Sequence, residues 1–179
     1  MAAEFSLFPT ALGDCGIAWR DGKVVATHLP ENTPHKTATR LAERSGASAG
    51  APPRFVQAAI EAITALLTGA DLDLADIECD FARVEPFAVS VYGIARTIPV
   101  GQTLTYGGVA LALGDKLLAQ RVGQALGRNP LPIIVPCHRV IGANGQLTGF
   151  SAHGGVDTKM KMLAIEGAIP GEQLGLFDD

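Results

Sequence analysis

The spacing of apolar and polar positions changes along this chain, and the changes place most of its elements. Residues 5–29 read as β structure: Cys15-Gly16-Ile17-Ala18-Trp19-Arg20 and Lys23-Val24-Val25-Ala26-Thr27-His28 flank Asp21-Gly22. Asp-Gly between two such runs predicts a hairpin. Pro34 to Arg44 reads as a helix with a mostly polar surface, and the Gly-, Ala-, Ser- and Pro-rich stretch Ser45 to Pro53 as a loop. Pro52-Pro53 opens a helix over 54–67, with Val56, Ile60, Ile63 and Leu67 on one stripe and Gly69 ending it. Residues 71–82 accommodate a short strand. A boundary within 80–86 divides an N-terminal α/β lobe (1–83) from a C-terminal lobe (84–179).

The second lobe is patterned as helices. Pro86 starts one that runs to about Thr97, with Phe87, Val91, Ile94 and Ala95 inward, and Ile98-Pro99-Val100-Gly101 breaks it. Thr103 or Thr105 caps the next, which ends near Leu113. Gly114-Asp115 turns the chain into a helix over 116–127. Two short helices joined by a tight glycine-containing turn predict a helix-turn-helix, although such hairpins also occur in proteins that never touch DNA. An extended stretch then reaches Cys137. A hairpin-like turn and a last helix over 156–167 follow. The predicted class is α+β: a small sheet lobe with helices, then a helical, winged-helix-like lobe.

Three faces separate on the helix around residues 117–128. Leu118, Val122, Ala125 and Leu126 share the inward stripe, Arg121, Gln124 and Arg128 lie outside, and Gln120, Gly123 and Gly127 form a third, slim stripe. A glycine inside a helix costs roughly 1 kcal/mol relative to alanine. Two of them one turn apart indicate either close approach to another surface or tight helix packing. A slim, lightly charged face suits a minor groove better than phosphate clamping. Arg96 and Lys116 are candidate phosphate contacts or ordinary solvated charges.

Composition narrows the class. The 179 residues carry a formal net charge of −4 and 47% hydrophobic residues. That is enough for one core or two small ones, and it argues against attachment to nucleic acid by bulk positive charge. Cys15, Cys79 and Cys137 are odd in number and far apart, which predicts no disulfide framework and a reducing, cytoplasmic setting. Neither a basic, apolar leader nor a membrane-length apolar run is present in the sequence. Cys15 and His28 face each other across the hairpin, but two ligands make no metal site.

The chemistry-bearing stretch is Pro136-Cys137-His138-Arg139-Val140, behind Ile133-Ile134-Val135 and ahead of Gly142-Ala143-Asn144-Gly145. A thiol beside an imidazole, on a segment stiffened by Pro130, Pro132 and Pro136, has the form of a placed nucleophile, because thiolate is the attacking species. The plainer reading is a buried cysteine followed by a surface His-Arg pair.

Several motifs in order decide between these. Ile98-Pro99-x-Gly101, Thr105-Tyr106-Gly107, Arg121-Val122-Gly123-x-Ala125, Asn129-Pro130, Pro136-Cys137-His138-Arg139-Val140-Ile141, Gly149-Phe150 and Glu166-Gly167 resemble the O6-alkylguanine-DNA alkyltransferases, from about Pro86 to Gly167. The N-terminal lobe matches that family's variable β lobe more weakly. The resemblance implies a single-turnover repair reaction. A damaged guanine is flipped from duplex DNA and its O6-alkyl group moves to Cys137, with O4-alkylthymine a further candidate substrate. It implies His138 as base through a water and Glu166 as the group orienting the imidazole. Tyr106 would hydrogen-bond guanine N3 and crowd the 3′ phosphate. Asn129 would tie the recognition helix to the cysteine segment. The carbonyls of Cys137 and Val140 would accept from the guanine amine, and Ser151 would lie near O6. Gln120, Arg121, Gly123, Gln124 and Arg96 would meet DNA. A monomer without cofactor or metal is expected.

Three positions depart from the family. Gln120 stands where an arginine commonly fills the gap left by the flipped base, and Arg121 is one residue later, about 100° around the helix. Phe150 stands where tyrosine is frequent, and Ala152-His153 reads as a two-residue insertion over the pocket. Glu166 carries its own alternative, a surface carboxylate at the unfavourable end of a helix dipole. Three other functions compete: a lesion sensor, which would lack Cys137; a cysteine hydrolase or transferase acting on small molecules, which leaves the glycine-faced helix unexplained; and a winged-helix regulator, which leaves Cys137 unexplained.

Overall fold

Asp21 and Gly22 both have positive φ, 50° and 80°. That is the backbone of the tight hairpin turn whose twist matches its strands, and it joins β2 (Gly13–Arg20) to β3 (Lys23–His28). β1 (Glu4–Thr10) pairs antiparallel with β2, and the two-residue β4 (Ser48–Ala49) adds parallel to β1, giving the order β3-β2-β1-β4. The structure is a computed structural model that describes residues 1–147 and 152–168.

The chain divides into two compact units, Met1–Arg83 with Pro130–Ile134, and Val84–Asn129 with the residues from Val135 onward. Residues 130–132 join the first unit along the edge strand β3, where the Thr27 amide donates to the Pro130 carbonyl at 3.0 Å and its hydroxyl to the Pro132 carbonyl at 2.6 Å. Ile133 sits at φ 75°, a strained setting for a β-branched residue. The strand expected within 71–82 reduces, among the described residues, to one bridge between Val24 and Cys79.

Two helices cover the first sheet's unit. α1 (Pro34–Ser45) begins where Thr33 accepts from the Lys36 amide and ends at Gly46, φ 67°. It buries only Thr37 and Leu41, as its polar sequence predicts. The Leu41 side chain lies so close to Gly16 of β2 that a Cβ there would come to 2.6 Å from its Cδ2 methyl, so a larger residue would force Leu41 to shift. α2 (Arg54–Leu66) buries Val56, Ala59, Ile63 and Leu66, and Ile60 of the expected stripe is half-buried.

The second unit holds α3 (Pro86–Ala95), β5 (Leu104–Thr105), α4 (Tyr106–Ala112), α5 (Ala119–Gly127), β6 (Val140–Ile141) and α6 (Gly155–Ile165). α3 stops at Ala95, two residues before the expected end, with Arg96 as its cap. Of the two candidate caps for α4, Thr105 is the one used, accepting from the Gly108 amide at 2.9 Å. The helix expected over 116–127 is split. Lys116–Leu118 form a 3-10 turn started by Asp115, and only then does α5 begin. Tyr92 of α3 is buried and donates to the Ala125 carbonyl of α5 at 2.6 Å, bolting the two helices together.

Candidate functional site

Pro136 fixes how Cys137 is presented. At φ −79° and ψ 65° it is the centre of an inverse γ-turn, closed by the Cys137 amide donating to the Val135 carbonyl at 2.8 Å. The ring holds φ near that value in advance. Cys137–Arg139 then form a 3-10 turn that ends with the Val140 amide on the Cys137 carbonyl. The next residues, β6, pair parallel with β5, Leu104 opposite Val140 and Thr105 opposite Ile141. Since β5 runs directly into α4, this two-residue ladder brings the start of the helix-turn-helix, Thr105-Tyr106, alongside the cysteine turn.

His138 and Arg139 are 0% and 4% exposed, which excludes a surface His-Arg pair. Glu166, the cap residue of α6, has a side chain only 2% exposed, so it is not a surface carboxylate either. Arg139 grips it with a fork: Nε donates to Oε2 and Nη2 to Oε1, both at 2.9 Å, while Nη1 donates to the Ile98 carbonyl at 2.7 Å. His138 Nε2 lies 2.8 Å from Glu166 Oε1. Burial works to raise the Glu166 pKa, but the hydrogen bonds and charges of His138 and Arg139 overcome it and hold the carboxyl at about 2. An ionised carboxylate only accepts, so Nε2 carries the proton and Nδ1 is the bare, basic nitrogen. That Nδ1 is buried and has no hydrogen-bond partner among the described residues. Burial keeps the imidazole neutral by lowering its pKa, Glu166 opposes this, and Arg139 and Lys159 reinforce it.

Cys137 is 8% exposed. Burial holds its thiol above the ordinary range, and a hydrogen bond from Asn129, the charge of Lys159 and local backbone amides offset this only in part. Asn129 is buried and its Nδ2 donates to the Val135 carbonyl at 3.0 Å. It therefore ties the end of α5 to the γ-turn and is more than a helix cap. Lys159 of α6 is 1% exposed and donates to the Val140 carbonyl at 2.6 Å. Its Nζ also lies 5.7 Å from the centre of the Tyr106 ring.

On α5, Val122, Ala125 and Leu126 are buried, and Gln120, Arg121, Gln124 and Arg128 are exposed. A Cβ on Gly127 would meet nothing within 4 Å, and one on Gly123 only the Tyr106 ring at an ordinary 3.8 Å. Packing among the described residues therefore does not call for a glycine at either position. Arg121 pairs with Glu85 at 2.8 Å and stacks 3.8 Å from the Phe87 ring centre. Arg96 is half-buried as the cap of α3.

The structure thus brings together Cys137, His138, Glu166, Asn129, Val140 and the start of α4 with Tyr106. Gln120, Gly123 and Gln124 share the outer side of α5. Ser151 and Phe150 lie outside the described residues. Arg139 and Lys159 were missed as functional groups. The available signal was a charge within an apolar run for Arg139, and for Lys159 a lysine on the stripe of Met162 and Leu163. In the first unit Cys15 is buried against the Thr10 hydroxyl at 3.5 Å, and His28 is taken by Glu31 and Arg44. No three His, Cys, Asp or Glu side chains cluster as a metal site among the described residues, and none of the described helices is long and apolar enough to cross a membrane.

Comparison with known proteins agrees with this geometry. Residues 86–168 match the family described as 6-O-methylguanine DNA methyltransferase, DNA binding domain. The methylated-DNA–protein-cysteine methyltransferase of Mycolicibacterium paratuberculosis is 37% identical over 175 residues, which is 98% of this chain and 99% of that protein. The crystal structure of the Mycobacterium tuberculosis O6-methylguanine methyltransferase superposes with a TM-score of 0.75 at 32% identity, covering 98% of this chain and 99% of the other. The structure of the M. tuberculosis protein in complex with DNA superposes at 0.70, with 29% identity and the same coverage. A match that extends from end to end in both sequence and fold leaves one assignment: this chain belongs to the methylated-DNA–protein-cysteine methyltransferase family.

Proposed function

We propose that the protein repairs double-stranded DNA carrying O6-alkylguanine by moving the alkyl group irreversibly onto its own Cys137. The observation that carries this reading is the bare, buried Nδ1 of His138, oriented by Glu166, on the residue that follows the buried Cys137. It is the nucleophile, base and orienter arrangement of covalent catalysis.

The geometry supports the following roles. α5 offers DNA a face without bulk at Gly123 and Gly127, with Gln120 and Gln124 exposed beside it. The Arg121–Glu85 pair is exposed on both sides, so it holds weakly and Arg121 is able to exchange Glu85 for a phosphate. Arg96 is a second phosphate contact. An alkylated guanine pairs poorly and leaves the stack at reduced cost, and Gln120 takes its place. Each of the Cys137 and Val140 carbonyls uses one lone pair inside the protein and keeps a second for the guanine exocyclic amine. Ser151 completes the contacts around O6. The thiol proton passes through a water to His138 Nδ1. The thiolate sulfur attacks the alkyl carbon in line, a carbon–sulfur bond forms, and the carbon–oxygen bond breaks with its electron pair moving onto the base. Tyr106 hydrogen-bonds N3 of the departing guanine anion, which takes up one proton overall. No group present reverses a thioether, so each molecule acts once. The three cysteines are free, in keeping with a monomer working in the reducing cytoplasm.

The test is incubation with duplex DNA containing O6-methylguanine, followed by mass analysis of the chain and its peptides. One methyl on the Cys137 peptide, absent in Cys137→Ala, is the expected result. Bound but unmodified protein would make it a lesion sensor, and ester turnover without DNA a hydrolase.

A further inference from the structure

Among the described residues of the second unit, Lys159 is a buried charged group that the reaction above does not use. It is fully buried on α6, at 1% exposure. An ammonium taken out of water needs a compensating charge and satisfied donors. Its geometry shows where it is directed. Nζ donates at 2.6 Å to the Val140 carbonyl, and Val140 is the residue whose amide closes the 3-10 turn on Cys137. The ammonium is therefore pinned to the end of the turn that carries the nucleophile, with the Tyr106 ring 5.7 Å away. Both oxygens of Glu166 are already held by Arg139 and His138.

We propose that Lys159 is a positioning residue for alkyl transfer: its buried ammonium supplies the positive charge that stabilises the Cys137 thiolate once the thiol proton leaves, and it loses that counter-charge when the sulfur becomes a neutral thioether. This deepens the repair reading above and rests on it.

The electrostatics agree in direction from both partners. Burial lowers the Lys159 pKa to about 8, against which the Cys137 charge raises it, and the Lys159 charge lowers that of Cys137. The same ammonium, with Arg139, opposes a positive charge on His138. His138 is thus suited to pass the thiol proton on and poorly suited to keep it. Once the proton has left the sulfur, the charge facing the thiolate sits on Lys159. The other titratable groups around the pair are Tyr92 and Tyr106. Burial first, then the Cys137 charge, holds the Tyr92 phenol up at about 12, so it stays neutral beside the thiolate.

The test uses the full chain, without DNA, and iodoacetamide as the electrophile. The rate of carbamidomethylation is followed at the Cys137 peptide by mass spectrometry from pH 6 to pH 10, for wild type, Lys159→Met and Lys159→Arg. A nearby charge of this kind moves a thiol pKa by about one unit or more. The expectation is a profile displaced to higher pH in Lys159→Met, with a rate at pH 7 lower by roughly tenfold. Lys159→Arg keeps the charge and recovers most of the rate. A Lys159→Met profile that overlays wild type overturns the proposal, and so does a loss equally deep in Lys159→Arg and equal at every pH, which is the mark of a merely structural residue. The second measurement needs no variant. The Lys159 side chain of wild type is titrated by NMR before and after S-methylation of Cys137, and its pKa is expected to fall on methylation; an unchanged value overturns the proposal. Neither readout involves a DNA substrate, so a protein that fails to demethylate O6-methylguanine and one whose lysine is uncoupled from its thiol give different results.

Discussion

Replacing Glu166 with glutamine removes the charge on which the buried Arg139 guanidinium depends. Arg139 is 4% exposed and its fork closes on Glu166 at 2.9 Å twice. With glutamine, the guanidinium stays buried against a neutral amide. Breaking a buried pair by removing one partner costs about 3–5 kcal/mol. The titration gives the same scale. A carboxyl held at about 2 instead of 4.5 stabilises the fold by about 3 kcal/mol at neutral pH. The sign follows from the lowered value: this stability is present above pH 4.5 and is lost as pH falls from 4.5 through 2. Urea unfolding of wild type and Glu166→Gln at pH 7 is expected to differ by about 3 kcal/mol. That difference should close by about 1.4 kcal/mol for each pH unit below 4.5, other groups cancelling between the two proteins. A gap under 1 kcal/mol at pH 7, or one that stays constant down to pH 3.5, would refute the reasoning.

The glycine face gives a prediction in which stability and binding move in opposite directions. Gly123→Ala should raise helix stability by up to about 1 kcal/mol, because its Cβ meets only the Tyr106 ring at 3.8 Å. It should also weaken binding to lesion duplex in a fluorescence anisotropy titration; unchanged affinity would detach this face from DNA. Gln120→Arg should tighten lesion binding or speed methyl transfer in single-turnover kinetics, and a slower or unchanged reaction would show that position 120 does not fill the vacated base site. Methylation of Cys137 adds volume at a site only 8% exposed, an overpacking worth about 1–3 kcal/mol. The spent protein should melt several degrees lower by calorimetry, and an equal or higher Tm would contradict this.

Asp21-Gly22, the stripe of α2 and the Thr105 cap were readable because each is a local rule satisfied by adjacent or periodically spaced residues. The ladder of β5 with β6 was not, since two residues carry no period and the pairing spans 36 positions, with Leu104 opposite Val140 and Thr105 opposite Ile141. The placement of residues 130–134 in the first unit escaped for the same reason: it is decided by two hydrogen bonds from Thr27. Cys137, His138 and Glu166 were legible as a set only through the ordered motifs, because nothing local to Glu166 tells a buried carboxylate from a solvated one. Lys159 drew no reading from the sequence, because a lysine is usually solvated. Its spacing from Met162 and Leu163 was visible, but only packing reveals that this side of α6 is buried.

The outer side of α5 also bears on how the protein searches. Gln120, Gly123, Gln124 and Gly127 carry no charge, Arg121 is engaged by Glu85, and the chain as a whole is anionic at −4. Affinity built from phosphate neutralisation falls steeply as ions are added, with a slope of about −0.9 per displaced cation on B-DNA. A reader that meets the duplex through shape displaces few of them. Its grip on a lesion should therefore fade only gently as ionic strength rises, leaving the helix free to sample many sites briefly and to stay where a base yields.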